Sequence, residues 1–204
     1  MKSFDYQGFK FLVFKDVYDP SDDTFLLAEN LNVSESDCVL DMGTGCGILA
    51  IIAGKTAKKV VGVDVSESAV MNARINVILN NMEQRVEIRL GSLWNALNSN
   101  ERFSLILFNP PYLPIPENET NLGILERAWN GGRSGREVIE AFLEKVDYFL
   151  EKEGCVQMVL SSLSGIEKIL SYIEKKGFKV EKKKEKKFFF EKLFLINIKR
   201  AQVI

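Results

Sequence analysis

Asn109-Pro110-Pro111-Tyr112 directly follows the apolar run Ser104-Leu105-Ile106-Leu107-Phe108. Two successive prolines fix φ and remove two backbone N–H donors. Asn109 precedes a proline and is pushed toward extended geometry. The product is a stiff platform rich in acceptors: the Asn109 side-chain oxygen, the Pro110 carbonyl and the flat face of Tyr112. It suits a planar group carrying an NH2, whose two N–H bonds Asn109 and Pro110 can accept while the plane stacks on Tyr112. A proline turn ending a strand is the plainer use of the same four residues. The upstream sequence weighs against it.

Val39-Leu40-Asp41-Met42-Gly43-Thr44-Gly45-Cys46-Gly47 is an apolar strand running into a glycine turn, and the apolar residues 48–53 follow it. Glycines at such a junction let backbone approach a ligand and helix pack on strand. The dinucleotide fingerprint needs G-x-G-x-x-G, but its third position falls here on Ile48, and the spacing is G-x-G-x-G. Asp41 would repel a pyrophosphate and attract positive charge. Asp64, 21 residues after Gly43 at the end of Val60-Val61-Gly62-Val63, is placed to hold a ribose diol. Strand ends and helix caps are the plainer roles for both acids. Read together, they point to an adenosine with a cationic tail and no phosphate, which S-adenosyl-L-methionine matches.

With these residues in view, the chain resembles the class I S-adenosylmethionine-dependent methyltransferases of the HemK/PrmC glutamine-N5 group, and above all its short archaeal and eukaryotic branch, the release factor methyltransferases. Three stretches carry the resemblance. They are Tyr18-Asp19-Pro20-Ser21-Asp22-Asp23-Thr24-Phe25-Leu26-Leu27, the set Asp41, Gly43, Gly45, Gly47, Asp64 with Asn109 to Tyr112, and Ala128-Trp129-Asn130-Gly131-Gly132-Arg133-Ser134-Gly135-Arg136-Glu137-Val138. The likeness spans roughly residues 15–165. It implies an α/β fold: a Rossmann-like, doubly wound, seven-stranded sheet, mostly parallel with a C-terminal antiparallel hairpin. It also implies Asn109, Pro110, Pro111 and Tyr112 as catalytic residues. Tyr18, Thr24, Asp41, Gly43, Gly45, Gly47, Asp64, Ser92, Leu93 and Asn109 would bind the cofactor. The family commonly has an Asp-Leu pair after the fourth strand, whose acid accepts from the adenine amino group. Here the pair is Ser92-Leu93. A serine hydroxyl can accept that bond, with an expected loss of cofactor affinity and no effect at the transfer site.

Composition fits this reading. A chain of 204 residues with 46% hydrophobic content is expected to form one α/β domain over residues 1–204. The first 35 residues would form a hairpin and helix covering the cofactor. A net charge of −1 argues against a generic nucleic-acid binder. No histidine is present, which removes histidine triads and most zinc catalysis. Cys38, Cys46 and Cys155 lack C-x-x-C spacing and read as small buried residues, so neither a metal site nor a disulfide framework is expected. No targeting segment or membrane-length apolar run is visible, so a cytoplasmic enzyme is expected.

The elements that must position these residues alternate along the chain. A β-prone hairpin or lid is expected over 9–17, a helix from Ser21 or Asp22, strand one over 38–41 with its helix over 46–56, and strand two over 59–64 with its helix over 67–79. Strands over 86–90, 105–108 and 155–160, helices over 136–152 and 166–176, and a hairpin over 178–190 and 193–199 complete the set. Gly154 is expected to stop the 136–152 helix. The irregular 112–134 segment is long enough to read as functional. Trp129 reads equally as core or as a wall of the substrate pocket. Residues 175–192 hold nine lysines against three acids, which fits a solvated hairpin edge or, alternatively, contact with RNA or a ribosomal partner.

An Asn-Pro-Pro-Tyr platform serves glutamine amides and the exocyclic amines of adenine or cytosine alike. Base methylation requires base flipping and usually an added recognition region. The resemblance favours the glutamine of a Gly-Gly-Gln loop in a peptide chain release factor. N6-adenine methylation of DNA or RNA is the alternative, lysine methylation a conceivable side activity, and a non-enzymatic cofactor-sensing scaffold the remaining option. The resemblance further implies a small zinc-binding activator protein as heterodimer partner, expected to add a strand at an unprotected apolar edge, residues 86–90.

Overall fold

The computed structural model describes residues 1–115 and 128–201, with the side chains of Lys182 and Lys183 excepted. Much of the expected 112–134 loop therefore lies outside the described residues.

A seven-stranded sheet organises the chain. Its strands are β3 (Cys38–Met42), β4 (Lys59–Asp64), β5 (Val86–Leu90), β6 (Phe103–Phe108), β7 (Leu150–Ser161), β8 (Phe178–Lys187) and β9 (Lys192–Arg200), in the order β5-β4-β3-β6-β7-β9-β8. β5, β4, β3, β6 and β7 are parallel, and β9 runs antiparallel between β7 and β8. β3, β4 and β6 read as near-continuous apolar runs because both faces are covered, whereas the edge strand β5 carries Glu87 and Arg89. Val39, Val60, Leu105 and Leu107 face the cluster built with α1 (Asp22–Ala28), α2 (Ile48–Gly54) and α3 (Glu67–Leu79). Their neighbours Leu40, Val61, Ile106 and Phe108 face α4 (Glu137–Phe149) and α5 (Ile166–Lys175). The alternation is the strand's two-residue period made visible.

The order reverses at β3, where β4 lies on one side and β6 on the other. In open α/β sheets a crevice forms at this point, outside the carboxyl ends of the strands. Both the glycine turn after β3 and the Asn-Pro-Pro-Tyr platform after β6 emerge there.

Several boundaries differ from expectation. β4, α3 and β5 fall where the sequence places them, while α4 ends at Phe149 and β7 begins at once at Leu150. Gly154 therefore lies inside β7 and does not end the helix. Cys46 is buried as expected, whereas Cys38 and Cys155 are half-buried. The N-terminal hairpin is longer than the apolar run suggested: β1 (Lys2–Tyr6) pairs antiparallel with β2 (Phe9–Val13). Positive φ at both Gln7 (50°) and Gly8 (86°) gives the tight turn such a hairpin needs.

That hairpin is fastened to α3 by a ladder of amides. Asn80, Asn76 and Asn72 each accept a backbone N–H from Lys10, Leu12 and Phe14 respectively, all at 2.9 Å. Their NH2 groups return bonds to the carbonyls of Lys10 and Leu12 at 2.8 Å. Asn72 and Asn76 are fully buried yet paired, as buried amides must be.

β5 is a sheet edge, but it is not an unprotected apolar one. Arg89 bonds both Glu87 and Glu101 at 2.7–3.0 Å, Lys59 pairs with Glu87 at 3.1 Å, and Arg74 donates to the Ile88 carbonyl. The exposed apolar surface lies beside the strand, on the outer face of α3 at Met71, Ile75 and Ile78, and at Leu90. No helix among the described residues is long and apolar enough to cross a membrane.

Candidate active site

A cavity of about 930 Å³ opens at the switch point. Eleven of the thirteen site residues expected from sequence line it: Tyr18, Thr24, Gly43, Gly45, Asp64, Ser92, Leu93 and the run Asn109, Pro110, Pro111, Tyr112. Asp41 and Gly47 do not. Gly47 takes φ +86°, and a Cβ there would stand 3.1 Å from the Ala73 methyl, so its place is in packing the turn against α3. Asp41 lies beneath the turn at 0% exposure, where one oxygen accepts from Thr44 Oγ1 (2.6 Å) and the Ala50 N–H (3.1 Å). Its other oxygen has no partner, and burial pushes its carboxyl up to about 7.

Asp64 holds the far side of the turn. One oxygen accepts from the Gly45 N–H and the other from the Ser66 N–H, both at 2.9 Å, while burial raises its pKa. The hairpin strands β1 and β2 do not line the cavity. The segment that follows them does, through Asp16, Val17, Tyr18, Pro20, Asp23 and Thr24.

The Asn109 end is wired by side chains. Asp23, 4% exposed, accepts from the Tyr18 hydroxyl (3.0 Å), the Tyr112 hydroxyl (3.2 Å), the Thr24 N–H (2.6 Å) and Thr24 Oγ1 (3.2 Å). Thr24 has thus spent its proton on Asp23 and can only accept from Asn109 Nδ2, 3.3 Å away. This fixes the amide's orientation. Asn109 Oδ1 is left buried and without a partner in a residue that lines the cavity. A buried carbonyl oxygen without a donor costs roughly 1–3 kcal/mol, and a ligand N–H would remove that cost. Burial first, and then the Asp23 charge, raise the pKa of both tyrosines, so both keep their protons and neither serves as a base.

Asp23 was missed as a functional residue in the sequence because an acid in the first turn of a helix reads as a charge partner for that helix end. Only its place between two tyrosines and Thr24, separated by up to 89 residues, reveals its part. The third stretch of the sequence also gains a reason. Leu113 donates to the Trp129 carbonyl and accepts from Gly131, and Ile115 donates to Gly132, each at 3.0 Å. Gly135, at φ +73°, sits so close that a Cβ would meet the Tyr112 carbonyl at 2.4 Å. Residues 129–135 therefore clamp the exit of the Asn-Pro-Pro-Tyr platform, and Trp129 walls the cavity.

The charge of the lining is one-sided. It contains five carboxylates, Asp16, Asp23, Asp64, Glu67 and Glu137, and no lysine or arginine among the described residues. Such a wall favours a cationic ligand and disfavours phosphate. The described residues contain no group of histidine, cysteine and carboxylate side chains that could hold a metal ion.

Known proteins resemble this chain in sequence and in fold. Residues 15–190 match the family model described as Methyltransferase small domain. A protein of Methanocaldococcus jannaschii named as a protein N5-glutamine methyltransferase is 38% identical over 94% of this chain and 95% of its own length. Human methyltransferase HEMK2 is 30% identical over 80% of each chain. Among solved structures, the E. cuniculi Mtq2–Trm112 complex, responsible for methylation of the eRF1 translation termination factor, includes a chain with TM-score 0.70 at 24% identity, covering 91% of this chain and 99% of that one, a likeness of fold. The chain belongs to the Methyltransferase small domain family and has the class I methyltransferase fold.

Proposed function

We propose that this enzyme transfers a methyl group from S-adenosyl-L-methionine to the side-chain amide nitrogen of glutamine, in the Gly-Gly-Gln loop of a peptide chain release factor. The observation that carries the reading is the buried, unpartnered Asn109 Oδ1, held in one orientation by Thr24 and Asp23. The acidic lining suits a sulfonium and an ammonium, and Asp64 is the carboxylate for the ribose diol. Ser92 and Leu93 flank the adenine position. When bound, this cofactor supplies an electrophilic methyl on a sulfur that leaves as a neutral thioether.

The protein's own contribution is placement. An amide nitrogen is a weak nucleophile because its lone pair is delocalised. Asn109 Oδ1 and the Pro110 carbonyl accept the two N–H bonds and present the nitrogen face toward the methyl, while Tyr112 lines the plane. These acceptors are neutral and take no proton; they orient, they cost no reorganisation in the transition state, and the methylated amide nitrogen, cationic once the bond forms, gives its proton to water. The Asp23 chain keeps Asn109 from rotating its NH2 into the site, where it would meet the substrate NH2 donor to donor. An acidic cavity also weighs against N6-adenine methylation, since a flipped nucleotide brings phosphate to the same wall.

The proposed partner is a small activator protein, zinc-binding by family resemblance. Its seat would be the Met71, Ile75, Ile78 and Leu90 surface beside the β5 edge. The test of function is methyl-label transfer from S-adenosylmethionine to purified release factor against a bare oligonucleotide, with mass spectrometry of the Gly-Gly-Gln peptide. A methyl group on that glutamine, and none on the oligonucleotide, is expected. Label on adenine alone would overturn the reading.

A further inference from the structure

The hairpin of β8 and β9 ends in Phe188-Phe189-Phe190, of which Phe189 and Phe190 are 91% and 85% exposed. They are not loose ends. The Phe188 N–H donates to the Glu191 carbonyl at 2.7 Å, closing the tip, and the Phe189 and Phe190 rings meet edge to face at 4.6 Å. Two large, adjoining aromatics in water are a standing cost that a protein seldom keeps without a use.

Their place gives the use. β8 runs in the same sense as β7, since β9 is antiparallel to both, so the tip lies at the cavity end of the sheet. Lys186 of β8 pairs with Asp22 at 2.6 Å, one residue before Asp23 of the cavity wall. Glu191 accepts from Ser161 Oγ at 2.5 Å, at the carboxyl end of β7. Glu191 is also near enough for its charge to add to burial and Asp23 in raising the Tyr18 and Tyr112 pKa values. Lys187 and Lys192, opposite each other at the last pair of the hairpin, are exposed beside the tip, and Lys184 is exposed farther down β8. The hairpin thus carries apolar anchors and positive charge beside a cavity lined with acids.

We propose that this hairpin tip is a docking element for the protein methyl acceptor, with Phe189 and Phe190 seated in an apolar depression ringed by carboxylates on the acceptor's folded surface. The inference rests on the functional reading above and deepens it. Aromatic anchors dominate such contacts, and the surrounding lysines select an acidic partner and speed encounter. A glutamine in a short peptide reaches the cavity without touching the tip. A glutamine in a folded factor brings that surface with it.

The test compares folded release factor with a short Gly-Gly-Gln peptide as substrates of the wild type, of Phe189→Ser/Phe190→Ser and of Lys187→Glu/Lys192→Glu. Both variants are expected to raise KM for the folded factor about 10-fold, by loss of anchors or of steering. Both should leave cofactor affinity, peptide kinetics and the melting temperature near wild type. The lysine variant should also flatten the dependence of kcat/KM on salt. An unchanged KM for the folded factor, with the wild type active on it, sinks this inference alone. So does loss of single-stranded RNA binding with no change in KM, which would assign the tip to nucleic acid. A wild type inert toward both substrates, with the activator partner supplied, sinks the functional reading and takes the docking role with it.

Discussion

At the glycine-turn end of the cavity the wall is mostly backbone, with Gly43 and Gly45 at the surface and Asp41 and Asp64 bracing the turn through N–H groups and the Thr44 hydroxyl. At the Asn109 end the wall is side chain, and each polar group is oriented by the one before it: Tyr18 and Tyr112 hold Asp23, Asp23 holds Thr24, and Thr24 holds Asn109. The first construction tolerates exchange of individual side chains, since much of its recognition comes from main chain. The second does not, because altering any member changes where Asn109 points. Affinity and turnover should therefore separate along the cavity.

The largest effect expected is at the end of the side-chain chain. Asn109→Ala should lower single-turnover methyl transfer about 10³-fold, as loss of a preorganised transition-state partner does. Cofactor affinity by calorimetry should stay within about threefold of wild type, because other groups hold the ribose and cationic tail. Near-normal turnover would remove Asn109 from the mechanism and erase the contrast between the two ends.

The glycine-turn end should reveal itself through pH. Burial raises Asp41 from its ordinary 3.8 to about 7. A raised carboxyl favours the fold below its unfolded value and loses that advantage as pH climbs through the folded one. Apo-protein stability should therefore fall between about pH 4 and 7, by at most about 4 kcal/mol on a scale of 1.36 kcal/mol per pKa unit. Asp41→Asn should flatten that decline in a series of thermal melts. Cofactor should restore more stability at pH 8 than at pH 5, since a cation compensates only the ionised form. A wild-type profile parallel to that of the variant would contradict the assignment.

Gly135→Ala tests the clamp behind the platform. A Cβ 2.4 Å from the Tyr112 carbonyl at φ +73° should cost about 3 kcal/mol of stability in chemical denaturation. Asp23→Asn should cost about 30-fold in kcat, roughly 2 kcal/mol, by giving the two tyrosines an NH2 where they now find a carboxylate. A rise in KM for cofactor with kcat intact would instead place Asp23 at the other end. Smallest of all, Ser92→Asp should tighten cofactor binding about fivefold through a charge-assisted bond, with kcat unmoved.

How much of this was readable beforehand follows from range. The β4–α3–β5 segment is legible to the residue because its apolar runs and polar breaks agree locally, and the Ser66 cap of the structure agrees with them. The glycine turn, Asp64 and the platform were legible because their spacing is sequential. β1 was missed because Lys2–Tyr6 is largely polar and exposed, although Gln7-Gly8 is a turn signal that could have exposed it. The sequence places the α4 end too late because Glu151, Lys152 and Glu153 suit a solvated helix as well as a strand. Asp23 and the orphaned Asn109 oxygen were illegible for a deeper reason: both depend on contacts across the fold.

The amides of Asn72, Asn76 and Asn80 work as a vernier scale. Four helical residues advance about 6.0 Å, and two strand residues about 6.7 Å. The two rulers drift by roughly 0.7 Å per division, little enough for three matched marks and too much for many more. A helix can thus imitate a sheet edge over a short span, choosing one alignment of the N-terminal ribbon and refusing the next. A one-residue slip there would carry Tyr18 and Asp23 out of step with everything they touch.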